Sequence, residues 1–150
     1  VNYPGRAFDE LVIGEQFFES VTIDETHLRR GAELSGDFNP LHVDHDFALN
    51  SRFGACILHG AVTAAIMSAP VGNYFSGTAI AMLEQNNRYR APVMAGDSLK
   101  TTWTINCLSE KEKISGGIVA MNAVCMNQQS EIVAESDGKI MICNRAAVQR

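Results

Sequence analysis

Positive charge is scarce in this 150-residue chain: 12 lysines and arginines stand against 17 aspartates and glutamates, a formal net charge of −5. That balance argues against nonspecific nucleic-acid binding, which needs Lys and Arg to neutralise phosphates. It leaves room for an anionic ligand met by local cations. Cysteine is sparse as well. Cys56, Cys107, Cys125 and Cys143 lie in or beside apolar runs, and none forms a C-x-x-C pair. This reads as reduced, buried thiols and a cytoplasmic setting. No basic segment followed by an apolar stretch opens the sequence, so no signal peptide is expected. P-loop, G-x-G-x-x-G and G-x-S-x-G patterns are all missing, which removes the common nucleotide sites and the nucleophilic-serine elbow. Charge of either sign vanishes between Phe53 and Leu83. That run is long enough to span a membrane. However, Gly54, His59, Gly60, Pro70, Gly72, Asn73 and Gly77 interrupt it. A helix and a strand buried inside a folded domain are expected instead, with no membrane partner.

What is present is ordinary for a globular chain: 46% hydrophobic and 19% charged residues. One core can bury roughly 70% of the unfolded surface at this length, so a single domain over residues 1–150 is expected. Residues 12–23 read as a strand interrupted at Gly14-Glu15. Asp24 is a good N-cap for a helix to about Leu34, and Gly36 can end it. Residues 37–42 read as a loop, because Pro40 lacks a donor and pushes Asn39 away from helical geometry. Asp44 can cap a short helix over 45–50. Residues 60–74 form a helix apolar on nearly every side, hence one buried all round, with Pro70 expected to kink or end it.

Four strands follow, over 80–90, 98–108, 117–126 and 131–143. In the second, Leu99, Thr101, Trp103, Ile105 and Cys107 share one face. The third is apolar on both faces and reads as a central strand, while Gly138 is a candidate bulge in the fourth. One early buried helix and a run of closely connected strands give an α+β domain with an antiparallel sheet packed on a helix. Open sheet edges and the apolar strand point to a homodimer.

The densest polar constellation is Ser35-Gly36-Asp37-Phe38-Asn39-Pro40-Leu41-His42. Five residues separate Asp37 from His42, about 140° of rotation on a helix and roughly 16 Å on a strand. They converge only if the loop curls, for which Gly36, Asn39 and Pro40 supply the turn chemistry. Converged, a carboxylate and an imidazole can hold one water and move its protons. The alternative is that Asp37 and Asn39 only cap the backbone while His42 packs. At Leu58-His59-Gly60 the long helix begins without a preferred cap. Its free N–H groups suit an oxygen that gains negative charge, or else Gly60 or a water closes the end. Arg88 and Arg90 are either surface charges or anion contacts. His42, Asp44, His45, Cys56 and His59 match no zinc-ligand spacing, so no metal is expected.

The octapeptide at 35–42 resembles the hydratase motif of the MaoC-like dehydratases, the (R)-specific enoyl-CoA hydratases. His59-Gly60 falls where that family begins its central helix. Arg88-Tyr89-Arg90-Ala91-Pro92-Val93 followed by Gly96-Asp97 resembles its strand-and-turn segment, and the similarity runs in order over residues 17–143. The resemblance implies the hot-dog fold, in which an antiparallel sheet wraps a long helix and two protomers pair. It implies reversible hydration of a trans-2-enoyl thioester, carried on CoA or acyl carrier protein, to an (R)-3-hydroxyacyl thioester, with no cofactor beyond the CoA of the substrate. By position, Asp37 and His42 match the water-activating pair and Gly60 the amide that holds the thioester oxygen. Asn39 matches the residue that shapes the loop, and Ser68 a serine near the site. Arg88 or Arg90 is expected to hold the anionic carrier, since net charge gives no general attraction. Pro70 departs from the family pattern and puts the role of Ser68 in doubt. A hot-dog thioesterase would share the helix start without needing this Asp-x-Asn-x-x-His spacing. A non-catalytic thioester-binding subunit has no evident need for both Asp37 and His42.

Overall fold

The computed structural model describes residues 5–148. Five antiparallel strands form one sheet in the order β1-β3-β4-β5-β2. They are β1 (Gln16–Thr22), β2 (Ala79–Tyr89), β3 (Ser98–Lys111), β4 (Gly116–Met126) and β5 (Ile132–Cys143). The long helix α4 (Gly60–Tyr74) packs on one face of this sheet, against β1, β3 and β2. This is the expected α+β, hot-dog arrangement. The two-faced apolar strand, β4, is indeed central, paired to β3 on one side and to β5 on the other.

Helix α1 (Glu25–Ser35) starts where Asp24 accepts the His27 N–H at 3.1 Å, and ends on Gly36 at φ 74°. Only a residue free of Cβ strain takes that left-handed cap at no cost. Asp44 likewise caps α3 (His45–Leu49), accepting the Phe47 N–H at 3.0 Å. One difference lies between them. Residues Pro40–Val43 are not loop but a single helical turn, α2, with Pro40 in its first turn. The missing proline donor costs nothing there, because the first N–H groups of a helix have no partner anyway.

Three further expectations are corrected. First, α4 is not buried all round: Ala61, Ala65, Ala69 and Gly72 line an exposed stripe, and the helix continues past Pro70 to Tyr74. The Trp103 indole N–H donates to the Met67 carbonyl at 2.7 Å, beside the carbonyl that Pro70 leaves without its donor. Second, Cys107 is exposed. A register shift between Ile105 and Cys107 interrupts the alternation, so Leu108 instead packs on the core. Third, Gly138 is no bulge. It pairs in register with Gln85 and Met121, and a Cβ there would lie 3.3 Å from the Trp103 ring, so it makes room for the indole. The edge strand β2 leaves Ile80, Met82 and Leu83 exposed.

An ion pair joins the two ends of the described chain. Arg145 donates to both Glu10 carboxylate oxygens at 2.7 Å, linking the 3-10 turns Phe8–Glu10 and Arg145–Ala147. Chiefly through that hydrogen bond, the Glu10 carboxyl is held down from 4.5 to about 2. A depressed carboxyl stabilises the fold fully above its unfolded range and loses that contribution as pH falls through the folded value. Glu10→Gln is therefore expected to melt below wild type at pH 7, with the difference closing between pH 4.5 and about 2. An equal difference at both ends of that window would exclude this ion pair as its cause.

Candidate active site

The loop after α1 is curled by a chain of short-range side-chain bonds. The Ser35 hydroxyl donates to the Gly31 carbonyl at 2.7 Å and accepts the Asp37 N–H at 3.2 Å. Asp37 Oδ1 accepts the Asn39 N–H at 3.1 Å, and Asn39 Oδ1 accepts the Leu41 N–H at 3.0 Å. These are the turn and cap patterns that Asp and Asn favour. The carboxylate uses Oδ1 for the turn and keeps Oδ2 free, so the capping role leaves an oxygen available for chemistry.

His42 is anchored from the other side. Its Nδ1 lies 2.7 Å from the Ile57 carbonyl. A carbonyl can only accept, so Nδ1 carries a proton, and in its neutral form the ring presents a bare Nε2. Ile57 is fixed in turn by a bridge to Met94 and by its N–H bond to the Leu41 carbonyl. Nε2 of His42 and Oδ2 of Asp37 face each other at 3.9 Å. That is too long for a hydrogen bond. One water about 2.8 Å from each acceptor would subtend an angle of about 90° at its oxygen, close to its own geometry. It would donate one hydrogen to each and leave its lone pairs facing outward.

The start of α4 lies beside this pair. His59 occupies the N-cap position without a side-chain cap, and the N–H of Gly60 makes no hydrogen bond to the described residues. The His59 ring turns elsewhere. Its Nε2 lies 2.9 Å from the Asp37 carbonyl, and its face stacks on His42 with centroids 3.7 Å apart. Tyr89 covers the other side, its ring 3.1 Å from where a Cβ on Gly60 would lie. A cleft of ≈ 380 Å³ opens against His42, walled by Leu28, Ala32, Phe38 and Val43 among others. A second, of ≈ 360 Å³, runs between α1 and α4 from Ser35 along Ala61, Val62 and Ala65.

Asp37, His42 and His59 each bring a possible ligand atom within 4.8 Å of the others. The arrangement does not suit a metal ion. The His59 Nε2 proton is committed to the Asp37 carbonyl, and Nδ1 lies 3.1 Å from the position of a Cβ on Gly31, turned toward α1. Only one imidazole nitrogen and one carboxylate oxygen remain for a common occupant, fewer than a cation needs.

The other expected site residues are placed less centrally. Ser68 stands two turns down α4, about 12 Å along the helix from Gly60. Its hydroxyl meets the Gln85 side chain and the Ala64 carbonyl. Gln85 also donates to Ala64 and to Asn87. Arg88 and Arg90 alternate with Tyr89, so they occupy the sheet face turned away from Gly60. Arg88 pairs with Asp137 and Arg90 with Glu135, each at 2.7 Å. Two cations with two carboxylates make no net positive patch, so an anionic carrier would have to compete with Asp137 and Glu135 for them. Arg88→Ala and Arg90→Ala are expected to leave KM for an enoyl-CoA within about twofold, since exposed pairs contribute little. A severalfold rise at low salt would return the carrier to them.

The sequence marks His59 only as the start of the long helix and as a rejected metal ligand, and does not single out Tyr89 or Gln85. For Tyr89 the signal was the period-2 alternation with two arginines. For His59 it was a polar ring at the head of an uncharged segment, where a buried imidazole needs partners. Gln85 had no comparable signal.

The profile of the family described as MaoC like domain matches residues 12–126. The chain belongs to the MaoC-like domain family. An (R)-specific enoyl-CoA hydratase of Rhodospirillum rubrum is 29% identical to this MaoC-like chain over 135 residues, 90% of each protein. A second, from Aeromonas caviae, is 30% identical over 105 residues, 70% of this chain and 78% of that protein. Among solved structures, the unliganded R-hydratase PhaJ1 of Pseudomonas aeruginosa superposes with a TM-score of 0.81 at 30% identity, covering 93% of this chain and 86% of that one.

Proposed function

We propose that this MaoC-like protein reversibly hydrates trans-2-enoyl thioesters to (R)-3-hydroxyacyl thioesters. The observation that carries the reading is the pair of bare acceptors, Asp37 Oδ2 and His42 Nε2, 3.9 Å apart beside an uncapped helix start. The bound water donates a hydrogen to each. As its oxygen attacks C3, one acceptor takes a proton, and negative charge moves through C2 to the thioester oxygen. The Gly60 N–H is fixed and reinforced by the helix dipole, so it meets that charge without reorganising. The proton then passes to C2, and H and OH have been added across the double bond. Asn39 holds the turn that aims Asp37, and the cleft from Ser35 to Ala65 offers the acyl chain a largely apolar path past Ser68's helix. CoA or acyl carrier protein belongs to the substrate, and no further cofactor is needed.

Incubation with crotonyl-CoA tests the reading. Loss of enoyl absorbance with formation of (R)-3-hydroxybutyryl-CoA supports it. Release of free thiol would make the protein a thioesterase, and binding without turnover a thioester-binding subunit.

We also propose a homodimer. The exposed edge β2 carries Ile80, Met82 and Leu83, and the exposed stripe of α4 carries Ala61, Ala65 and Ala69. Light scattering at micromolar concentration should find at least twice the chain mass of 16.3 kDa. A monomer would remove this assignment. Four unpaired cysteines support a reducing, cytoplasmic setting, and no described helix is long and apolar enough to cross a membrane.

A further inference from the structure

We infer that His59 is a positioning residue for this reaction, holding Asp37 with one edge of its ring and backing His42 with its face. The inference rests on the roles proposed for Asp37 and His42. His59 is 3% exposed, yet its Nδ1 is buried without a hydrogen-bond partner. An unpaired buried acceptor is unfavourable, and an apolar side chain would fill the same space without that penalty. The imidazole therefore answers a need other than packing, and its surroundings show two.

The first is the edge. The Nε2–H donates to the Asp37 carbonyl at 2.9 Å across the turn. With the Asp37 N–H on Ser35 and Oδ1 on the Asn39 N–H, this is the third bond that immobilises Asp37. Oδ2 is then left with one direction, toward His42. The second is the face. The two rings lie 3.7 Å apart and 26° from parallel. His42 gains positive charge when Nε2 takes a proton, and the face of a neutral ring attracts a cation. Gly31 backs the Nδ1 edge of His59 so closely that a Cβ there would lie 3.1 Å from the nitrogen. That attraction exists only once the proton has moved, so it lowers the barrier without tightening substrate binding.

Two substitutions separate the roles. His59→Phe keeps a flat buried ring and removes the donor. His59→Gln keeps an N–H donor and removes the ring. Steady-state hydration of crotonyl-CoA is measured for both, beside thermal melts and an Asp37→Asn control. Each folded variant should lose about tenfold or more in kcat, with KM within about threefold. Full kcat in both folded variants overturns the inference, as does a loss that follows only the unfolded fraction. If Asp37→Asn itself keeps wild-type turnover, the proposed function fails first; if it is inactive while both His59 variants run normally, only this inference fails. Nitrogen-15 NMR of the unaltered protein guards against misfolding. It should find His59 protonated at Nε2 with a slowly exchanging N–H, and His42 protonated at Nδ1. An Nδ1-protonated His59 overturns the inference.

Discussion

Asp37→Asn is expected to lower kcat for crotonyl-CoA hydration by about 10²–10⁴-fold, the usual worth of positioned acid–base catalysis, while leaving the melting temperature close to wild type. The substitution is selective because of how the carboxylate is used. Asparagine keeps an Oδ1 that can accept the Asn39 N–H, so the turn survives. Where Oδ2 stood it places an amide NH₂, a donor in place of an acceptor. That group cannot take a proton from water, and it faces the bare Nε2 of His42, 3.9 Å away in the native site. His42→Ala removes the other acceptor and should cost activity on the same scale. The double variant should be little worse than either single one, because groups serving one step are not additive. If Asp37 served only to cap its turn, Asp37→Asn would keep both the fold and nearly normal turnover. A folded Asp37→Asn protein retaining more than about a tenth of wild-type kcat takes this carboxylate out of the mechanism.

The legible parts of the sequence were those governed by near neighbours. The Asp24 and Asp44 caps, the Gly36 stop and the start of α4 at Gly60 each depend on bonds within a few residues, and all stand where the pattern placed them. The alternation Leu99-Thr101-Trp103-Ile105 was legible for the same reason. What was not legible depended on distant partners. Cys107 was turned outward by a register shift against β4. Arg88 and Arg90 found Asp137 and Glu135 only because β2 pairs with β5, and nothing near the arginines announces that pairing. The Asp37–His42 pair was intermediate. The spacing by itself leans toward a cap, and the resemblance at 35–42 is what turns the reading toward a catalytic pair. The decisive bond, from His42 to the Ile57 carbonyl 15 residues on, has no local signature.

Trp103→Ala is expected to destabilise the fold by about 3–5 kcal/mol, within the range for truncating a large buried aromatic. Trp103 is fully buried at the centre of β3, and three features of the fold meet on it. Its N–H supplies the Met67 carbonyl at 2.7 Å, next to the turn of α4 that Pro70 deprives of a donor. Its ring fills the space left open at Gly138 on β5. Its backbone pairs with Phe17 on β1 and Ala123 on β4, so the same residue ties helix to sheet across three neighbouring strands. With a total stability of about 5–15 kcal/mol for a domain of this kind, that loss is a large share. The melting temperature should fall by about 10–15 °C. Trp103→Phe separates packing from hydrogen bonding: it keeps most of the apolar volume but leaves the Met67 carbonyl unpaired, and should cost about 1–3 kcal/mol. Denaturant melts of the two variants give the comparison. If Trp103→Phe is as damaging as Trp103→Ala, the indole bond rather than the filled space holds α4 on the sheet. If Trp103→Ala costs less than about 1 kcal/mol, the cavity has collapsed and α4 does not depend on this residue.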